Sequence, residues 1–281
     1  LIKTKKGKIG KPRITFKANY GFSNPTQLPE FVDGAKYMDV MNAAAVLSGQ
    51  SPMYTPEVIQ QTKDGTDVDL RPNVDWMGLI TKSNVPQSQY SVDINGGSER
   101  LRYSLVLGYF TEDGMFITDK STGYNSESNY NRINVRSNID LNLTPSTLVT
   151  VSIGGYRNSK NGSATATSDI MDAMFKSTPI LHPAVYSNGQ LPQYGDRKNP
   201  YALVTQTGYS KTLSTTVQTL ISLNQDMGAI WKPLQGLNAK LTYSFDNYNW
   251  SSQRRGRTPT YYWADGRDAD GNLVTNMVGS E

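Results

Sequence analysis

Flat aromatic faces stack on sugar rings and on peptide side chains, and the residues best suited by type to do so are Trp250 and the run Tyr261, Tyr262 and Trp263. Packing within their own segment, or anchoring at an interface, is the competing use of the same rings. Between them lie Arg254, Arg255 and Arg257, which can steer an acidic ligand or face solvent. Asp265-Gly266-Arg267-Asp268-Ala269-Asp270-Gly271-Asn272 spaces carboxylates closely enough to suggest a hard cation. Its glycine comes too early for a calcium loop and no bidentate Glu follows, so a plain turn is the expectation. The sole histidine, His182, stands in Thr178-Pro179-Ile180-Leu181-His182-Pro183 with no second histidine for a zinc site or relay, and reads as a structural loop residue. No motif pairs a nucleophile with a base or two carboxylates in a pocket, so neither an enzyme nor a cofactor is expected.

The elements that must position these residues are strands. Ile14, Phe16, Ala18, Tyr20 and Phe22 alternate with Thr15, Lys17, Asn19 and Gly21. A second run, Gln89 to Asn95, leads through Gly96-Gly97-Ser98-Glu99, a hairpin signal, into a third, Leu101 to Tyr109. Ile133 to Leu143 and Leu148 to Tyr156 repeat that unit around Thr144-Pro145-Ser146-Thr147. A last unit sets Val217, Ile221, Leu223, Met227 and Trp231 on one face, turns at Lys232 to Gly236, and returns through Leu237, Ala239, Leu241, Tyr243 and Phe245. The other connections are long: Ser23 to Ser88, Thr111 to Tyr130, Arg157 to Thr215, and everything after Tyr248, which includes Trp250 and Tyr261 to Trp263. Tight turns at one end and long loops at the other predict an all-β, antiparallel transmembrane β-barrel segment of about seven strands whose long loops are extracellular. Two loops carry helical spacing: Phe31, Ala35, Met38, Met41 and Ala45, and then Ile170, Met171, Met174 and Phe175 behind Ser168 as N-cap, with Pro179 as the stop.

A mean hydropathy of -0.52 is compatible with this, because a barrel hides its apolar residues at alternate positions. The 17 tyrosines against 7 phenylalanines fit membrane interfaces and ligand-binding loops. Without cysteine there is no disulfide framework and no thiolate metal site. The net charge of +4 is scattered apart from Lys3 to Arg13 and Arg254 to Arg257, and neither cluster offers the sustained basic face of a nucleic-acid-binding protein. The basic start, Leu1 to Lys8, is followed by no apolar stretch and is no signal peptide.

Ile2-Lys3-Thr4-Lys5-Lys6-Gly7-Lys8 with Gly10-Lys11-Pro12 resembles the plug-to-barrel junction of SusC/RagA-like TonB-dependent outer-membrane transporters. The ordered series that follows is similar to the opening of that family's barrel. It comprises Leu28-Pro29-Glu30-Phe31 with Tyr37 and Asn42, Asn73-Val74-Asp75-Trp76, Tyr90-Ser91-Val92, Gly96 to Glu99 with Tyr103, Gly108-Tyr109-Phe110 with Asp113-Gly114, Asn131-Arg132, and Arg136 to Asp140. The resemblance implies a barrel of about 22 strands around a plug. It divides the chain into 1–12, the end of the plug with its connector, in which Lys5, Lys6 and Lys8 fall, and 13–281, the N-terminal part of the barrel. It further implies import of glycan or peptide oligomers across the cell outer membrane, driven by the TonB complex, with a SusD-like surface lipoprotein as lid. The chain lacks the signal sequence, the TonB box, most of the plug and most of the strands, and is expected to be a fragment. Partners are then outer-membrane lipid, the lipoprotein, TonB through other parts of the protein, and an oligosaccharide or peptide, with no nucleic acid. In that setting Trp250, Tyr261, Tyr262 and Trp263 are the candidate ligand or lid contacts.

A secreted β-sandwich binding module or adhesin is the competing architecture, since it too uses alternating strands. It would bury one face of every strand against a second sheet. The barrel instead requires Phe16, Tyr20, Leu105, Leu107, Val135, Leu141, Ile221 and Leu241 to point outward in one belt.

Overall fold

A computed structural model describes residues 6–278. Seven strands form one antiparallel sheet in the order β1 (Gly10–Ser23), β2 (Val85–Gly97), β3 (Leu101–Asp113), β4 (Asn129–Thr144), β5 (Thr147–Ser163), β7 (Gly208–Asp226) and β8 (Asn238–Gly256). The strand intervening in sequence, β6 (Leu191–Pro192), joins β9 (Tyr261–Arg267) and β10 (Leu273–Val278) in a small second sheet. The long connections also carry α1 (Gly34–Leu47), α2 (Pro56–Asp64), α3 (Trp76–Ile80), α4 (Thr167–Lys176) and α5 (Pro200–Thr205).

Register carries the apolar alternation across the whole large sheet. Phe16 lies opposite Val92, Val92 opposite Leu107, Leu107 opposite Val135, Val135 opposite Gly155, and Gly155 opposite Val217. A parallel row runs Leu101, Leu141, Val149, Leu223, Leu241. Residues directly opposite share a face, so these rows form one continuous apolar band that contains all eight belt residues. It is open to the surroundings: Ile14 is 68%, Phe16 64% and Leu241 72% exposed. Among the described residues no second sheet covers it, which removes the sandwich.

The opposite face is polar and bonded across strands. Thr150 Oγ1 donates to Asp140 Oδ1 at 2.8 Å, Ser152 Oγ to Asn138 Oδ1 at 2.7 Å, and the Arg132 guanidinium sits 4.3 Å from the Tyr156 ring centroid. The first described residues lie against this face. Lys6 Nζ is 3.5 Å from Asp140 Oδ2, and Asn95 Nδ2 donates to Lys6 O at 3.2 Å. Gly7 is required there, because a Cβ would fall 2.3 Å from the Tyr103 backbone nitrogen. Lys5 lies outside the described residues.

All tight turns lie at one end of the sheet and all long connections at the other. At the turn end Ser98 N donates to Leu101 O at 2.7 Å and closes the β2–β3 hairpin, with Gly97 at φ 155°. Several strands run further toward the long connections than the sequence reading has them: β2 starts at Val85 and not Gln89, β4 at Asn129 and not Ile133, β5 ends at Ser163 and not Tyr156, and β7 starts at Gly208 and not near Thr216. Two further boundaries differ around the last turn. β7 ends at Asp226, and Met227 and Trp231 belong to a turn containing short 3-10 segments, because Asp226 caps Gly228 N at 2.9 Å and Pro233 cannot donate to a ladder. β8 continues to Gly256, so Trp250 lies inside a strand, opposite Ser214, and not in a loop. From Asn247 onward the apolar-band positions turn polar and the large rings, Tyr248 and Trp250, fall on the other face, yet the ladder to β7 continues to Gly208.

The long connections fold together into a cap. Its core is Trp76, Met77 and Ile80 of α3, Ile170, Ala173 and Met174 of α4, Leu203 and Val204 of α5, and Phe116. The predicted apolar spacings become α1 and α4, but Ala166 and not Ser168 precedes the first turn of α4, and no side chain caps it. Ile170 N and Asp169 N both donate to Ala166 O, which places Ser168 within the helix. No described helix is long and apolar enough to cross a membrane.

Candidate functional site

The four aromatic residues singled out by type meet four different surroundings. Trp250 is 59% exposed on the polar face of β8. Tyr261 is buried at the start of β9, and burial pushes its hydroxyl up to about 12. Tyr262 lines a cleft of about 500 Å³ together with Asp119, Arg257 and Tyr201. Trp263 lines a larger cleft of about 670 Å³, where its ring lies 4.6 Å from that of Tyr194 at an angle of 50°.

This larger cleft draws its lining from five separate parts of the cap. Its walls come from α1 (Tyr37), the segment after α2 (Asp69 to Arg71), the end of α4 (Lys176), the loop 177–199 (Tyr186, Tyr194, Arg197) and β9 (Trp263 to Asp265). Aromatic rings and cations dominate the lining, the combination that grips a polar ligand through stacking and charge. Tyr186 is buried, its hydroxyl raised above the ordinary tyrosine value by desolvation, and its oxygen accepts from Ala264 N at 3.1 Å. That bond ties the loop to β9.

A clasp of three charges holds the back of the cleft. Arg267 donates from Nε to Asp67 Oδ2 at 2.8 Å, and from Nη2 to Asp67 Oδ1 at 2.8 Å and Asp69 Oδ2 at 3.0 Å. Asp69, almost fully buried, also accepts from Ser187 N at 2.8 Å and Ser187 Oγ at 2.5 Å. The Arg267 hydrogen bonds hold the Asp67 carboxyl down at about 2. Arginine suits the role because its planar fork serves two carboxylates at once. Sequence reading placed Arg267 within a turn and gave it no partner.

The turn itself is as expected. Asp268 Oδ1 accepts from Asp270 N and Asn272 N at 2.9 Å each, and Gly271 N donates to Asp268 O at 3.1 Å. Asp268 thus spends Oδ1 on backbone donors and Oδ2 on Asn272 Nδ2 at 3.1 Å, which closes the turn. Arg254 lies on β8 opposite Ser210, and Arg255 opposite Tyr209.

His182 is structural. It is buried edge-on to Trp76, ring centroids 5.4 Å apart, with Nδ1 2.8 Å from Pro183 O and Nε2 without a partner. Desolvation lowers it to about 4. A second, more apolar cleft of about 410 Å³ adjoins the first at Tyr37 and Thr178, and is lined by Phe31, Val32 and Phe175.

No protein-family model matches the chain. Over 261 residues, 89% of its length, it is 23% identical to TonB-dependent receptor P3 of Formosa agariphila and spans 22% of that protein. Its fold is similar to that of the RagAB peptide importer in the open-open state, with a TM-score of 0.59 and 20% identity over 89% of this chain and 29% of that one. The RagAB peptide transporter gives a TM-score of 0.50 at 18% identity, covering 93% and 34%. The chain thus covers a fifth to a third of each relative, and the resemblance to SusC/RagA-like TonB-dependent transporters read from its motifs holds in both sequence and fold.

Proposed function

We propose that this chain is part of the wall, with the attached outward cap, of an outer-membrane importer of the TonB-dependent type. The observation that carries the proposal is the apolar band that crosses all seven strands while every long connection lies at one end. In water such a band is a large exposed apolar surface. In a bilayer it is the surface a barrel requires. Among the described residues the outer edges of β1 and β8 are unpaired, which supports further strands, since lipid offers backbone groups no alternative partner. On this reading 13–281 is barrel and 1–12 the end of a plug with its connector, a division that suits Lys6 lying against the polar, lumen-facing side of the sheet.

The cap then faces outward, where a SusD-like lipoprotein closes over it, and TonB engages parts of the protein outside this chain. The cargo is a glycan or peptide oligomer, the relatives of known structure being described as peptide importers. Trp263 and Tyr262 are the ligand or lid contacts in the cap, Trp250 meets cargo on the lumen face, and Tyr261 holds β9 in place. The test is outer-membrane fractionation of the full-length protein followed by a heat-modifiability shift on a gel. A heat-dependent shift in the outer-membrane fraction is expected, and a soluble, stably folded product would refute the reading.

A further inference from the structure

We propose that the Trp263 cleft binds a carboxylate-bearing sugar oligomer, its rings on the Tyr194–Trp263 platform and its carboxylates on Arg71, Arg197 and Lys176. This inference rests on the importer reading and names its class of cargo.

The charges in the cleft do not cancel. Of the carboxylates lining it, Asp69 is committed to Arg267 and to both donors of Ser187, and Asp265, bonded to the neutral Asn276 Nδ2, leaves one negative charge against three cations. The cations are less committed. Among the described residues Arg71 has no carboxylate partner, and it spends one donor, Nη1, on Leu70 O at 2.9 Å. Arg197 donates from Nη1 to Lys176 O at 3.1 Å and lies 3.8 Å from Asp196, whose side chain is 99% exposed. Lys176 pairs with Asp172 at 2.8 Å, both more than half exposed, a pair that water screens and a ligand displaces at little cost. A guanidinium carries five donors, so Arg71 and Arg197 each retain enough for a carboxylate.

The remaining lining suits sugar rings. Tyr37, Tyr54, Tyr186, Tyr194 and Trp263 supply ring faces and hydroxyls. Strand addition to β9, one route by which a peptide docks, is blocked here: β9 lies between β10 and β6, and its Ala264 N–H is already taken by Tyr186 Oη.

The test is calorimetric titration of the full-length protein, solubilised from outer membranes, with trigalacturonate, maltotriose and triglutamate. Trigalacturonate should bind about tenfold or more tightly than maltotriose and weaken with added salt. R71Q/R197Q should erase that preference, and Y194A should weaken both sugars. These side chains lie at the surface, so circular dichroism of the variants should match the parent. Equal binding of the two sugars, no effect of R71Q/R197Q, tighter binding of triglutamate, or no binding at all would overturn the proposal. Failure of the importer reading is seen separately, as absence of the protein from the outer-membrane fraction used for the preparation.

Discussion

His182 and the Arg267 clasp respond to acid in different ranges. His182 is held neutral by burial, so the folded cap binds fewer protons than the unfolded chain once the pH drops below the ordinary histidine value. Its stability is therefore full above pH 6.5 and declines as the pH falls toward about 4, by about 3 kcal/mol in all. Hydrogen exchange of α3 and of 178–183 should rise over that interval, and H182N should flatten the rise. The Asp67 carboxyl is depressed as well, to about 2, but there it is the charged form that its partners favour, so the clasp is intact above pH 4 and is lost as the pH falls through 2. Limited proteolysis between β9 and β10 should stay slow down to pH 4, and D67N should make it fast at neutral pH. Part of this site was legible by residue type, since Trp263 and the Asp268 turn were found that way. Its partners were not. Arg267 and Asp67 are 200 residues apart in sequence, and Arg71, Tyr194 and Arg197 come from separate loops with no common spacing.

At the scale of elements, alternation with period two located the seven strands of the large sheet, and helical spacing two of the five described helices. It failed where the pattern changes: beyond Phe245 the lipid-side positions of β8 turn polar at Asn247 and Asn249 while the aromatic residues Tyr248 and Trp250 fall on the other face, and β9 and β10 are too short and too mixed to show a face. α2, α3 and α5 are short and are set by caps, Thr55, Asp75 and Asn199 each accepting from a backbone N–H. The face assignment makes a prediction for paired substitutions. L107R, at the centre of β3 in the apolar band, should cost about 2–4 kcal/mol and lower the yield of heat-modifiable protein. Q218R, on the polar face of β7, should assemble as the parent does, and equal assembly of the two would mean that the faces are misassigned.

For the molecule as a whole, placement of every long connection at one end implies a single exposed cap. Tyr194 is 53% exposed there, and these 281 residues contain no cysteine. Y194C should label on intact cells with a membrane-impermeant maleimide, whereas a cysteine in place of Ser98, at the turn end, should label only after the outer membrane is opened. The central claim is that one face of the sheet meets lipid. Its most direct test is a spin-label scan along β3 of the full-length protein in vesicles, comparing collisions with oxygen, which dissolves in lipid, and with a water-soluble nickel chelate. Oxygen access should peak at Leu105, Leu107 and Tyr109 and fall at Ser104, Val106 and Gly108. Shielding of Leu105, Leu107 and Tyr109 from both probes would place them inside a closed protein core and contradict the barrel.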